Sequence, residues 1–165
     1  MTRSLLLTAF LALQVSSPAK APRPAISVTL SSVSSELKLG SEVRLKIAVT
    51  NTSDHDLRLT RSSGKDQGEF LNRFEVHEDQ GNSVVKTRYY RNIRGEKAEN
   101  EELQEVFEEV VTLSLKPGES LTEEVILNNL YVLDRPGKYT IQVDHVDPET
   151  RVPVKSNTIT VTLAP

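Results

Sequence analysis

Asp54-His55-Asp56 and Asp144-His145-Val146-Asp147 each set an imidazole among carboxylates. If these two stretches meet, two imidazoles and up to four carboxylates converge. Carboxylates alone suit Ca²⁺, whereas imidazole with carboxylate suits Zn²⁺ or another transition metal. The competing reading is that short polar side chains in turns serve backbone hydrogen bonds and solvation. His77, beside Glu78 and Asp79, lies apart and reads as an exposed lone histidine.

A second constellation is a charged excursion around 88–105. Lys86, Arg88, Arg91, Arg94 and Lys97 surround Tyr89 and Tyr90, and an acidic run from Glu96 to Glu109 follows. Arg88, Tyr89, Tyr90, Arg91 and Arg94 are the candidate partner-binding residues, because Tyr and Arg are frequent binding hot spots. Long excursions on a rigid scaffold also tend to carry function. The favoured competing reading is a solvated loop whose opposite charges pair, at about 0–1 kcal/mol per exposed pair.

Chemistry of other kinds has little to work with. There is no cysteine, which removes disulfides, thiolate nucleophiles and thiolate metal sites. No Gly-x-Ser-x-Gly and no phosphate-cradling glycine loop is present. The expectation is a chain that is not an enzyme and carries no cofactor. A net charge of −3 and a pI near 5.7 argue against a nucleic-acid partner. Asn51-Thr52-Ser53 matches a glycosylation acceptor, but is more simply a turn.

The elements that position these groups read as strands. Val43, Leu45, Ile47 and Val49 occupy every second position, so one face of this segment is aliphatic and the other mostly polar. That is the pattern of a half-buried antiparallel strand. Asn51 to Asp54 supplies a turn, and Leu57 and Leu59 resume the alternation. Ile26, Val28 and Leu30 form an earlier strand. Ser31 to Ser35 is a crossing, read as a bulge or an edge-to-edge switch. Phe70 to Glu78 is a strand, 79–82 a hairpin turn, and 83–90 its return strand. A helical turn is expected near 99–104, then a strand from about 106 to 115. Lys116 to Glu119 is a turn, 121–127 a strand, 128–133 a short helical corner, and 138–144 and 154–163 the closing strands. Many short strands with turns between them predict an all-β sandwich of two antiparallel sheets, free of cysteine, over 26–165.

Asp134-x-x-Gly137-x-Tyr139-x-Ile141 resembles the tyrosine corner of immunoglobulin-like domains, in which the tyrosine hydroxyl ties back to nearby backbone. That resemblance implies strands B, C, E, F and G at 43–50, 56–60, 121–127, 138–144 and 154–163. Ile141 takes one core cysteine position and Leu45 or Ile47 the other, with Leu57 or Leu59 filling in for the absent tryptophan. The B–C turn then carries Asp54-His55-Asp56 and the F–G turn carries Asp144 to Asp147, at the same end of the sandwich.

The N-terminus carries Arg3 and an apolar run, Leu5 to Val15, of signal-peptide length. Small residues at Ser17, Ala19 and Ala21 suggest cleavage after Ala19 or Ala21, with 20–25 a linker. The expectation is an exported protein, secreted or periplasmic, with no lipid anchor and no later membrane segment.

Val49-Thr50-Asn51-Thr52-Ser53-Asp54, Phe74-Glu75-Val76 with Gly81, Leu115-Lys116-Pro117-Gly118-Glu119-Ser120, and Leu130-Tyr131 before Pro136-Gly137-Lys138-Tyr139-Thr140 together resemble bacterial secreted immunoglobulin-like domains. The succession is similar to the non-catalytic domain attached to deuterolysin-type metalloendopeptidases, and more loosely to the intracellular proteinase inhibitor family of bacilli. The resemblance implies a binding or accessory module, or a proteinase inhibitor or protease-associated domain, with a protein or polysaccharide partner. His-Glu-x-x-His is absent, so it implies no peptidase activity.

Overall fold

The computed structural model describes residues 23–62, 69, 71–96 and 110–165. The expected signal segment, the 99–104 helical turn, Lys97 and most of the acidic run lie outside these residues.

Three strands form one sheet in the order β1 (Ile26–Ser32), β3 (Arg44–Asn51), β7 (Ser120–Ile126), all antiparallel. The facing sheet runs β2 (Glu36–Lys38), β10 (Ile159–Ala164), β8 (Gly137–Val146), β5 (Asn72–Glu78), with β9 (Pro153–Lys155) also paired to β8. In immunoglobulin terms these are A-B-E against A′-G-F-C. The serine-rich crossing is a sheet switch. The chain leaves the first sheet after β1 and joins β10 in parallel through β2.

The alternation in β3 makes the sandwich. Val43, Leu45, Ile47 and Val49 are each at most 1% exposed. They share one core with Phe74, Val76, Tyr139, Ile141 and Val143 of the other sheet. Fully burying each such aliphatic side chain contributes about 1.5–3 kcal/mol. Tyr139 closes the tyrosine corner, its hydroxyl donating to the Arg135 carbonyl at 2.8 Å. Burial raises the Tyr139 pKa, which keeps the hydroxyl a donor. Tyr139→Phe should therefore lower stability by about 1 kcal/mol, measured by urea unfolding, because one part-buried bond is lost without a cavity.

Two strand assignments change. The segment expected as strand C forms β4 (Leu57–Ser62), which pairs with β6 (Val110–Leu115) in a separate two-stranded ladder. The strand beside β8 is β5 instead. The cause is a corner. The β3–β7 ladder ends at Thr50–Ser120 and resumes beyond two turns as Leu57–Leu115. Gly118 permits the second turn with φ +81°. Leu57 and Leu59 remain in the core, and Phe74 supplies the aromatic on the strand paired with β8.

The expected return strand 83–90 also changes. Gly81 turns the chain and Ser83 bridges His77, but the pairing stops there. Thr87 then caps a helix, α1 (Arg88–Ile93), by accepting from the Tyr90 N–H at 3.1 Å. A second short helix, α2 (Leu127–Leu130), makes the predicted corner.

Side chains take up strand backbone groups at both flanks of the sandwich. At β1, the Asn157 amide donates to and accepts from the Leu30 backbone, both at 2.9 Å, in place of a strand neighbour. At β5, the Phe74 N–H donates to the Tyr90 hydroxyl (3.0 Å) and the Tyr131 hydroxyl donates to the Phe74 carbonyl (2.7 Å). Val84 N–H, Asn82 C=O and the Arg94 guanidinium take the outward groups of Val76, Glu78 and Asn72. Open strand edges invite pairing with other chains, and this one is closed.

Candidate functional site

The partner-binding candidates are mostly absorbed into that seal. Tyr90 is 1% exposed. Its ring stands edge-on to Phe74 (centroids 6.4 Å) and tilted against Tyr131 (5.4 Å). Lys86 Nζ and the Arg94 guanidinium lie over it at 5.7 and 5.2 Å, a double cation–π contact. Arg94 also donates to the carbonyls of Glu69 and Asn72. Arg91 donates to the Lys86 carbonyl at 3.0 Å, and Lys86 Nζ donates to both carboxylate oxygens of Glu96. Tyr89 is half-buried against the core, and only Arg88 of the five is exposed. Tyr90 and Arg94 thus brace the edge strand β5 from within.

The metal candidates do not form a ligand set. Among the described residues no group of three or more His, Asp or Glu side chains is placed to hold a metal ion. His145 lies on β8 rather than in the turn, is 6% exposed, and contacts Asn72 Oδ1 through Nδ1 at 2.8 Å. Burial lowers its pKa, against a smaller opposing pull from Asp147, and keeps the ring neutral. Asn72, itself fully buried, donates from Nδ2 to Glu123 Oε2 at 2.9 Å. A polar seam thus crosses the core from β7 through β5 to β8. Asn72 Nδ2 donates, so Oδ1 accepts, and the neutral His145 carries its proton on Nδ1. Asp144 lies 3.7 Å from Lys155. Asp147, fully buried, ties down its own loop. It accepts from Glu149 and Thr150 N–H at 2.9 Å and from Ala25 N–H at 2.6 Å. Burial alone would raise its pKa, but these three N–H donors outweigh burial and lower it.

The two loops nevertheless meet, through a residue the spacing did not single out. His55 Nε2 is 2.6 Å from Glu149 Oε1, while Nδ1 is 2.9 Å from Asp54 Oδ1. Glu149 reads in sequence as a turn residue only. Its position two residues beyond Asp147 in the F–G turn was the available signal. Asp54 and Asp56 of the first loop and Glu149 and Arg151 of the second are exposed.

Beneath the loop tips the base is rigid. Asn51 is 1% exposed. Its Nδ2 donates to the carbonyls of His55 and Leu115, both at 2.8 Å, and its Oδ1 accepts from the N–H and Oγ of Ser53 at 2.9 and 2.7 Å. The side chain is thus the staple of the corner between β3 and β4, which supports the turn reading of Asn51-Thr52-Ser53. Asn51→Ala should lower stability by roughly 2–4 kcal/mol, because two carbonyls and the turn lose their partner together. Urea unfolding would measure it, and a loss under 1 kcal/mol would contradict the staple. Across the gap, Arg151 sits at φ 60° in a loop held by Arg151 N–H to Asp147 C=O and Asp147 N–H to Val152 C=O, both 3.0 Å. A non-glycine residue in that region is held there by its surroundings.

These features define an immunoglobulin-like β-sandwich with a braced, polar loop end. No family model matches the chain, and no curated protein matches it. Among solved structures, it is similar to the CARDB domain of the PF1109 protein from Pyrococcus furiosus, a complex with di-metal ions. That match has 14% identity, covers 86% of this chain and 89% of that one, and has a TM-score of 0.46. It is also similar to BslA, a bacterial hydrophobin (11% identity, 87% of this chain and 96% of that one, TM-score 0.33). Bacteroides uniformis beta-glucuronidase 2 matches at 11% identity over 83% of this chain, which spans 13% of that enzyme, with a TM-score of 0.36. All three scores lie below 0.5, and the fold stands on the strand pairing.

Proposed function

We propose that the chain is an exported, non-enzymatic binding or accessory module that recognises a protein or polysaccharide partner through its loop end. The observation that carries this reading is the braced platform. Asn51 and Asp147 pin the bases of the 52–56 and 147–152 loops, while Asp54, Asp56, Glu149 and Arg151 stand exposed above them. Polar tips on a rigid scaffold are where recognition residues concentrate. The side chains best suited to acid–base work are held in other bonds. His55 contacts two carboxylates, His77 Nδ1 contacts the Gly81 carbonyl at 3.2 Å, and His145 contacts Asn72. Among the described residues, no helix is long and apolar enough to cross a membrane. Export rests on the N-terminal apolar run, and the acidic net charge disfavours nucleic acid.

The protease-associated reading rests on the resemblance to deuterolysin-attached domains and bacillar proteinase inhibitors. Arg151 is the exposed basic side chain a trypsin-like pocket would take. Its left-handed backbone is not the extended form of a bound substrate, which favours an accessory role over direct cleft insertion.

The test is capture from the exported fraction by immobilised protein. The variant Asp54→Ala/Asp56→Ala/Glu149→Ala/Arg151→Ala should lose at least tenfold of the captured partner. Arg88→Ala should retain it. Equal capture by the loop variant and the unmodified protein would overturn the reading.

A further inference from the structure

The contacts of His55 fix its protonation state. A carboxylate oxygen only accepts hydrogen bonds, and a neutral imidazole has one N–H to donate. Here both ring nitrogens face carboxylate oxygens, Nδ1 at 2.9 Å and Nε2 at 2.6 Å. Both contacts are favourable only when the ring is the imidazolium, with a proton on each nitrogen. Remove one proton and one contact sets two lone pairs against each other. The two contacts are unequal in reach. Asp54 is the neighbour of His55 in the chain and moves with it. Glu149 is 94 residues away on the facing loop.

We propose that His55 is a pH-operated latch that holds the 52–56 loop against the 147–152 loop when protonated and releases Glu149 when neutral. Asn51 holds the His55 carbonyl and Asp147 holds the Glu149 and Thr150 N–H groups, so release parts the two side chains while the loop backbones stay anchored. The charged groups facing the ring are Asp54 from its own loop and Glu149 from the other. Asp147 is turned away, toward the N–H groups of Ala25, Glu149 and Thr150. Asp56 and Arg151, the other charged side chains of the two tips, make no hydrogen bond or ion pair with the ring among the described residues. The Asp54 hydrogen bond, then that of Glu149, raises the imidazole pKa above its ordinary value. A raised histidine contributes stability that is fully present below its unfolded pKa, about 6.5. That contribution is lost as pH rises through the folded pKa. The latch is therefore closed in acid below about pH 6.5 and opens as pH rises through the folded pKa, which lies above that value.

Any effect on partner recognition rests on the function proposed above, but the latch itself is a property of the free protein and is tested there. In the ¹³C,¹⁵N-labelled protein, the His55 ring would be titrated by NMR beside Glu149→Gln and Asp54→Asn. The expected His55 midpoint lies above about 6.5 and falls in both variants. Both ring nitrogens carry protons at pH 6, and the amides of Glu149 and Thr150 follow the His55 midpoint in the unmodified protein but not in Glu149→Gln. All three side chains are solvent-exposed, so the variants keep the fold. A midpoint at or below 6.5, or loop amides indifferent to His55 titration, would overturn the latch. Neither result bears on whether the loop end binds a partner.

Discussion

Replacing Tyr90 by alanine is expected to cost about 3–5 kcal/mol and to make the protein prone to self-association. The cost has two parts. The ring fills core space between Phe74 and Tyr131, under Lys86 and Arg94, so truncation leaves a cavity. The hydroxyl is also the acceptor for the Phe74 N–H on the outer side of β5, and truncation uncovers that edge. Tyr90→Phe separates the parts. It keeps the ring and removes the acceptor, so a loss of about 1–3 kcal/mol is expected, the cost of a buried N–H left unpaired. Urea midpoints give the energies, and light scattering of the refolded protein reports the edge. Tyr90→Phe within 0.5 kcal/mol of the unmodified protein would mean that the hydroxyl is not sealing β5.

The other large effect is expected at Asn72. This amide is fully buried and joins Glu123 of one sheet to His145 of the other. Asn72→Leu keeps the volume near constant but strips both groups of that partner. Leaving a buried polar group without its partner costs about 1–3 kcal/mol, and two groups lose one here. The seam also makes stability depend on pH through His145. Burial holds the folded pKa of His145 below the ordinary value, so the unfolded chain binds the proton first. Stability should then fall as pH drops below about 6.5, and continue to fall until the folded pKa is passed. His55 works in the opposite sense, losing its contribution as pH rises. Unfolding free energies from pH 5 to pH 8 in His145→Gln should show a flatter acid limb than in the unmodified protein. An unchanged limb would assign the slope to other groups.

The sandwich was legible where a single strand reports its own environment. Val43 to Val49 alternate because one face meets the core, and Asp134 to Ile141 carries a corner whose bond is local, Tyr139 to Arg135. Register across the corner at Asn51 was not legible. Leu57 and Leu59 alternate whichever strand lies beside them, and only pairing with Leu115 and Leu113 shows that β4 belongs with β6. The segment 83–90 misled for a related reason. Its apolar and aromatic residues suit a strand, and one side-chain bond, Thr87 to Tyr90, tips it into a helix. Tyr90 is 16 residues from Phe74 and Tyr131 is 57, so their joint grip on one backbone unit is a tertiary fact. At the candidate site, the end of the molecule was readable from the two turns. The pair that meets there, His55 with Glu149, depends on loop shape. Asp147 could not serve because Ala25, Glu149 and Thr150 already occupy its carboxylate.

The central claim is that recognition belongs to the loop end while the Tyr/Arg segment is structural. Amide hydrogen exchange of the captured complex, compared with the free protein, tests it most directly. The account predicts that added protection falls on 52–56 and 147–152, with 88–94 exchanging slowly and equally in both states. Added protection confined to 88–94, with the loop tips unchanged, would contradict it.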